Sequence, residues 1–344
     1  VLFSAFFFKI GLGELAIKFM VVLFSTGIVL ISYLLISEMF NKKYALLTSI
    51  GVAFSWVFLF FTGRPMTEIP ATFFILLSML FFWKGYVLEK GKKFIYLFGF
   101  FYAIAALIRM QYLMFALPFF IFIFTKEKFR FLKNKTLWIA FLIFFIMLLP
   151  FFILYSMNYG FFIKDILNYY LGIGGAGKVA SSASTKTFFD LFDYFLDLPY
   201  LLTKPIFILF IIGSVYFLAN LIFGIDKMFK NEIIRKKLFI LFFIITAFIT
   251  LGRMTETVEQ RYVMPVLPFL FLISVIPLIK SEELFMKYFK LNAKFVEFLV
   301  IIILLALLIP SFLWANNLIE NKKNSYLEVE EAGIWIKENS NTGD

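Results

Sequence analysis

The chain has no histidine and no cysteine, and only 16% of its 344 residues are charged. The first two absences remove Cys/His zinc sites, haem ligation, thiolate chemistry and every Ser-His or Cys-His nucleophile pair. The missing cysteines do not indicate a redox compartment, because a bilayer can supply stability without disulfides. The scarcity of charge excludes a soluble enzyme. Soluble domains carry about 45–50% apolar and about 25% charged residues. Here 62% are hydrophobic, 22% are aromatic including 53 Phe, and mean hydropathy is +0.93. Chemistry is left to carboxylates, Arg, Lys, Tyr, hydroxyls and amides.

A membrane-spanning helix needs roughly 17–25 apolar residues. That rule predicts an all-α polytopic membrane protein with about ten spans: 15–37, 44–62, 69–86, 94–108, 112–125, 136–156, 201–223, 238–251, 262–279 and 295–316. Residues 94–124 could be drawn as one run, but charge decides for two helices meeting at Arg109. Cytoplasmic loops collect Lys and Arg, and each crossing changes sides. With ten spans, the loops 38–43, 84–93, 126–135, 226–237 and 280–294 share one face and hold 2, 4, 5, 5 and 4 basic residues. The net charge of +11 is thereby an expression of topology. No nucleic-acid signature accompanies it.

The two faces differ in kind. The cytoplasmic loops are mostly lysine, whereas four of the six arginines, Arg64, Arg109, Arg253 and Arg261, fall on the outer face near helix ends. A planar, permanently charged guanidinium suits bidentate recognition of phosphate or carboxylate. Each arginine alone could equally snorkel to headgroups or pair with a nearby Glu. Four on one face favour an anion site.

The first outer turn, Thr62-Gly63-Arg64-Pro65-Met66-Thr67-Glu68-Ile69-Pro70, leads into a helix with Thr67 as a candidate N-cap. Glu68 is either a helix-start acid paired with Arg64 or a carboxylate that contacts substrate or a divalent ion. The second turn, Ile108-Arg109-Met110-Gln111-Tyr112, puts Arg109 below the outer surface, where an unpaired charge is costly. The third runs from Gly252-Arg253 through Glu256, Glu259, Gln260 and Arg261 to Tyr262. Its charges could neutralise one another or frame a sugar phosphate, with Tyr262 offering a ring face or a hydroxyl.

The long outer loop, 157–200, contains Gly172-Ile173-Gly174-Gly175-Ala176-Gly177-Lys178, which imitates two phosphate-binding patterns. No strand precedes it, and Val179 stands where a P-loop needs Ser or Thr, so it is read as a mobile lid. Beyond it, Thr187-x-x-Asp190 resembles a capping box, and Asp190, Asp193 and Asp197 share one helical face among aromatics. That predicts an amphipathic interfacial helix with solvated acids. Residues 1–316 form the expected membrane domain, and 317–344 begin an extracytosolic C-terminal region. Val1 is not Met and already lies inside an apolar run, so the chain is expected to be a fragment.

In these residues and this order the chain resembles membrane glycosyltransferases of the C superfamily, in particular the dolichyl-phosphate-mannose-protein mannosyltransferase and aminoarabinose-transferase-like family. The resemblance rests on Phe8-Lys9-Ile10-Gly11-Leu12-Gly13-Glu14-Leu15-Ala16-Ile17-Lys18, Tyr33 to Lys42, Gly63-Arg64 through Glu68, Ala105-Ala106-Leu107-Ile108-Arg109, and Arg261-Tyr262-Val263-Met264-Pro265-Val266-Leu267-Pro268. There is no tryptophan-rich signature of the oligosaccharyltransferase catalytic subunit.

The resemblance implies inverting transfer of a sugar from a polyprenyl (dolichyl) phosphate donor to a hydroxyl on a protein or a lipid/glycan acceptor. The reaction is expected on the extracytosolic face of a prokaryotic cell membrane. Such transfer needs a carboxylate base near the acceptor and cations on the departing phosphate. The implied donor-phosphate ligands are Arg64, Arg109, Arg253 and Arg261. Gln111, Tyr112, Glu256, Glu259 and Tyr262 are implied to contact substrate. Glu68 matches a secondary catalytic acid, the main base being expected upstream of Val1 and the fragment therefore inactive. A divalent cation, Mg or Mn, is a further possibility. The rival class is a transporter or flippase of lipid-linked saccharides, which would use similar groups nearer the membrane midplane.

Overall fold

The computed structural model describes residues 9–160, 189–254, 258–289, 292–323 and 327–340, and among them no strand occurs. The long helices are α1 (Gly13–Met39), α2 (Lys42–Ala53), α3 (Trp56–Phe61), α4 (Glu68–Phe82), α5 (Lys92–Ile108), α6 (Ala116–Glu127) and α7 (Lys135–Tyr159), followed by α8 (Lys204–Ile222), α9 (Glu232–Met254), α10 (Leu267–Phe289), α11 (Ala293–Lys323) and α12 (Leu327–Asn339). Helix α4 continues as a π-helical turn over Trp83–Val87. Among the described residues, five segments are individually long and apolar enough to cross a membrane: Leu15–Met39, Glu68–Val87, Lys135–Asn158, Lys204–Ile222 and Ala293–Lys323. The remaining expected spans are also helical, but shorter, interrupted or charged towards one end. Helix α12 occupies the tail where apolar spacing predicts a helix.

Helix α4 packs between α1 and α5, α5 also against α7, and α10 between α2 and α8. Lipid tails are as apolar as leucine, so these contacts depend on close packing rather than on escape from water. Small residues allow it: a Cβ at Gly99 would strike the Ala140 backbone, and one at Gly213 the Ile273 backbone. Phenylalanines fill the larger gaps. Phe82 meets Phe98, Phe119 and Phe122, while Phe115 stacks on Phe243 with ring centroids 4.0 Å apart. Helix α7 lies at the periphery, with only 11% of its apolar window buried, as expected of a helix facing lipid.

The expected span 44–62 is broken. Phe54 and Ser55 leave helical geometry between α2 and α3, although every neighbouring residue is compatible with a helix. The break is bridged from α11, 255 positions away: the Ser311 hydroxyl donates to the Phe54 carbonyl at 3.0 Å and accepts from the Trp56 N–H at 2.8 Å. Away from water, freed backbone groups need such a partner. The Trp56 indole in turn donates to the Tyr200 and Leu201 carbonyls at 3.2 and 3.0 Å, tying the segment before α8 to the same point. Ser311→Ala is expected to lower stability by about 1–3 kcal/mol, the cost of leaving a buried polar group unsatisfied. A thermal-melting comparison in detergent checks it, and an unchanged midpoint would show that the bridge is dispensable.

The two ends of the bundle are chemically distinct. At one, Lys90 and Lys84 approach Glu38 at 2.9 and 3.8 Å, Lys126 pairs with Glu89 at 3.0 Å, and Lys43 pairs with the buried Glu282. These residues come from the loops counted as basic in the sequence. The arginine turns lie at the other end.

Candidate active site

Three loops meet at the arginine end. The first places Glu68 as the opening residue of α4, where its charge suits the helix dipole. The Thr67 hydroxyl makes no capping bond to the backbone; it lies 3.4 Å from Glu68 Oε2 instead. The second loop begins where α5 ends and Arg109 takes an extended conformation before the 3-10 turn Met110–Phe115. Two helices therefore meet at Arg109, as charge alternation requires. The third is the 3-10 turn Gln260–Val263, whose last residue Val263 and the following Met264 and Val266 are fully buried and anchor it in the bundle.

Glu68 is the hub. Its side chain is 6% exposed, and Oε1 sits 2.6 Å from an Arg109 terminal nitrogen and 3.3 Å from Arg261 Nε. Arg64 does not make this pair; its guanidinium lies over the Phe60 ring, 3.8 Å from the centroid. Arg109 is engaged at all three nitrogens: beyond the Glu68 contact, its Nε and second terminal nitrogen donate to Gln111 Oε1 at 3.1 and 2.8 Å, and the group stacks over Tyr262 at 4.6 Å. Arg261 is held differently. Its Nε lies 3.3 Å from a carboxylate oxygen of both Glu68 and Glu259 without a hydrogen bond to either, while among the described residues its terminal nitrogens reach the Met66 thioether at 3.7 Å and the Tyr262 hydroxyl at 3.5 Å. A guanidinium flanked by carboxylates on its Nε side, with weakly engaged terminal N–H groups on the other, is oriented to receive an oxyanion.

Supporting bonds surround the cluster. The Tyr112 hydroxyl meets Thr72 Oγ1 at 3.0 Å inside the bundle, so Tyr112 braces the second turn rather than lining a surface. The Tyr102 hydroxyl donates to the Tyr112 and Leu113 carbonyls, both at 3.1 Å, fixing the turn after Arg109. The third turn is clamped by the segment that precedes α8. The Glu259 N–H donates to the Tyr194 hydroxyl at 3.1 Å, and the Gln260 amide donates to Asp197 at 3.0 Å. The sequence marks Tyr102, Thr72 and Tyr194 only by a hydroxyl inside an apolar helix or aromatic run.

The segment expected as one interfacial helix is instead three short turns, Phe189–Phe192, Asp193–Leu196 and Leu198–Leu202. Buried Tyr194 pulls the chain inward, and Pro199 in the first turn of the last piece has no N–H to extend the preceding one. Asp197 is accordingly a partner of Gln260 rather than a solvated acid. Thr187 and the glycine-rich stretch lie outside the described residues, as does Glu256. Arg253 sits in the last turn of α9 and makes no ion pair with the described residues. The structure thus brings together Glu68, Arg109, Gln111, Glu259, Arg261 and Tyr262, with Tyr112 beneath. Among the described residues, neither Arg64 nor Arg253 forms an ion pair with Glu68 or Glu259.

Partial burial pushes the Asp197 carboxyl above its ordinary range, partly offset by the Gln260 amide. A raised folded-state value means that the folded chain holds this proton more tightly. The group's contribution to stability therefore falls as pH rises from the ordinary carboxylate range through the raised value. Asp197→Asn keeps an acceptor for Gln260 and removes the charge. Its melting temperature is expected to exceed wild type at neutral pH, with the gap closing below the ordinary carboxylate range; a gap independent of pH would contradict the assignment.

Among the described residues no three acidic side chains converge to hold a metal ion. Glu68 and Glu259 both face Arg261, an arrangement that fits a guanidinium and not a second cation.

A bundle of apolar helices with an arginine-carboxylate cluster at one end defines an integral membrane protein. Residues 2–154 match the family described as dolichyl-phosphate-mannose-protein mannosyltransferase. Among solved structures, the oligosaccharyltransferase of Archaeoglobus fulgidus in complex with Zn and sulfate is similar at 16% identity and a TM-score of 0.62, over 99% of this chain and 46% of that one. ArnT from Cupriavidus metallidurans is similar in its apo state at 14% identity and a TM-score of 0.55, over 82% of this chain and 49% of that one. ArnT bound to undecaprenyl phosphate gives 14% identity and 0.56, over 91% and 63%. The chain thus spans roughly half the length of these proteins, and the likeness is one of fold. No curated protein matches the chain.

Proposed function

We propose that the protein transfers a sugar from a polyprenyl-phosphate-linked donor to a hydroxyl of a protein or glycan acceptor, with inversion, on the extracytosolic face of a cell membrane. The observation that carries this reading is Arg261, flanked at Nε by two carboxylates with its terminal nitrogens weakly engaged. In the reaction, the acceptor oxygen bonds to the anomeric carbon as the bond from that carbon to the phosphate oxygen breaks. The electron pair stays on the polyprenyl phosphate, and the acceptor proton passes to a base. Arg261 would stabilise the charge that grows on the phosphate, as preorganised donors do. Glu68 and Arg109 position Arg261, and Tyr262 supports both guanidiniums. The base is assigned to a residue outside this cluster, since both of its carboxylates face Arg261. The family match and the undecaprenyl phosphate held by ArnT support the donor class.

Proteoliposomes containing the intact protein and a polyprenyl-phosphate sugar test the proposal. Glycosylated acceptor together with released polyprenyl phosphate is the expected outcome. Movement of intact donor across the bilayer without product would instead identify a flippase.

A further inference from the structure

The lysine end carries a second cationic site that sugar transfer does not use. Helix α6 stops at Glu127 because Lys128 adopts a left-handed backbone, φ 51°, that turns the chain into the short 3-10 segment Lys128–Lys133. This segment comes back beside the loop before α9, where the Lys128 ammonium lies 5.0 Å from the Phe229 ring centroid. Between the two opens a cavity of about 620 Å³ lined by Thr125, Lys126, Lys128, Arg130, Lys133 and Phe229, together with Glu127 and Phe129. Four cations thus face one acid. Glu127 is approached by the Asn134 amide at 3.4 Å, and Lys126 is committed to the Tyr86 carbonyl at 2.7 Å and to Glu89 at 3.0 Å. Arg130 and Lys133 make no ion pair with the described residues.

The surroundings identify the anion's source. Phe129 and Leu132 are 73% and 51% exposed between those cations, and the exposed Trp138 donates from its indole to the Leu132 carbonyl at 2.8 Å. Trp138 lies in the first turn of α7, the helix whose flank faces lipid. Cations alternating with exposed apolar side chains beside an exposed tryptophan form the pattern of a segment lying in the headgroup layer. A basic pocket between helices at that depth suits a phospholipid headgroup. A soluble anion would gain nothing from the exposed Phe129 and Leu132.

We propose that this pocket binds the phosphate of an anionic membrane phospholipid, with Lys128, Arg130 and Lys133 on the headgroup and Phe129 and Leu132 among the acyl chains. Each basic residue near an anionic surface strengthens binding roughly fivefold, so removing two predicts about a 30-fold loss.

Native mass spectrometry of the intact protein in detergent, titrated with phosphatidylglycerol, phosphatidylcholine or inorganic phosphate, tests this. Arg130→Gln/Lys133→Gln should weaken phosphatidylglycerol binding about 30-fold with an unchanged melting temperature, both positions being exposed. Lys128→Gln alone should give about fivefold. The control Lys92→Gln/Lys93→Gln, at the same end but outside the pocket, should bind as wild type, as should phosphatidylcholine fail to compete. Equal losses in the control would mean diffuse end charge, displacement by inorganic phosphate a soluble-anion site, and no loss in the pocket variants no site; each would overturn the proposal.

Discussion

Arg261→Ala is expected to lower sugar transfer by about 10²–10³-fold while leaving the protein folded. The magnitude is that of removing one preorganised donor from a developing oxyanion, about 2.7–4 kcal/mol of transition-state stabilisation. Folding should survive because Glu68 keeps Arg109 at 2.6 Å, and the Arg261 side chain is already 27% exposed. Arg261→Lys retains a charge but loses the planar fork, and should recover only part of the activity. Steady-state transfer rates with melting temperatures measured alongside check this. Unchanged transfer by Arg261→Ala would remove Arg261 from the site.

The second large effect is on stability. Glu68→Ala leaves the Arg109 guanidinium, 13% exposed at the end of an apolar helix, without its counter-charge. Breaking a buried ion pair from one side costs about 3–5 kcal/mol, because the remaining charge stays desolvated. Gln111 and Tyr262 still contact Arg109 but bring no negative charge. Glu68→Ala should therefore melt well below wild type, and Glu68→Gln nearly as far. The double variant Glu68→Gln/Arg109→Met should recover much of the loss, since neither partner then remains as a buried charge. If the double variant melted no higher than Glu68→Gln, the pair would not be what stabilises this end of the bundle.

The contrast between these two arginines could not be read from the sequence. Four outer arginines and Glu68 are visible there as an anion-binding pattern, but spacing favours Arg64 as the partner of Glu68, four residues away. The observed partners, Arg109 and Arg261, lie 41 and 193 positions along the chain and reach Glu68 only through the packing of α4, α5 and the Gln260–Val263 turn. Helix positions were more legible, because an apolar run bounded by charge has few ways to fold in lipid. The runs 94–108, 136–156 and 201–223 correspond to Lys92–Ile108, Lys135–Tyr159 and Lys204–Ile222. The division at Arg109 followed from charge alternation alone. The break at Phe54 and Ser55 left no local trace, since its cause is a serine on α11. The aspartate periodicity near 190–197 suggested a helix for a real reason, but burial of Tyr194 and the following proline outweighed it.

The most direct test of the central claim, that the arginine end receives the phosphate of a polyprenyl carrier, is the affinity of the intact protein for undecaprenyl phosphate without a sugar. The account predicts tight binding by wild type, at least tenfold weaker binding by Arg261→Ala, and wild-type binding by Arg130→Gln/Lys133→Gln at the opposite end. Equal affinity in wild type and Arg261→Ala would contradict it.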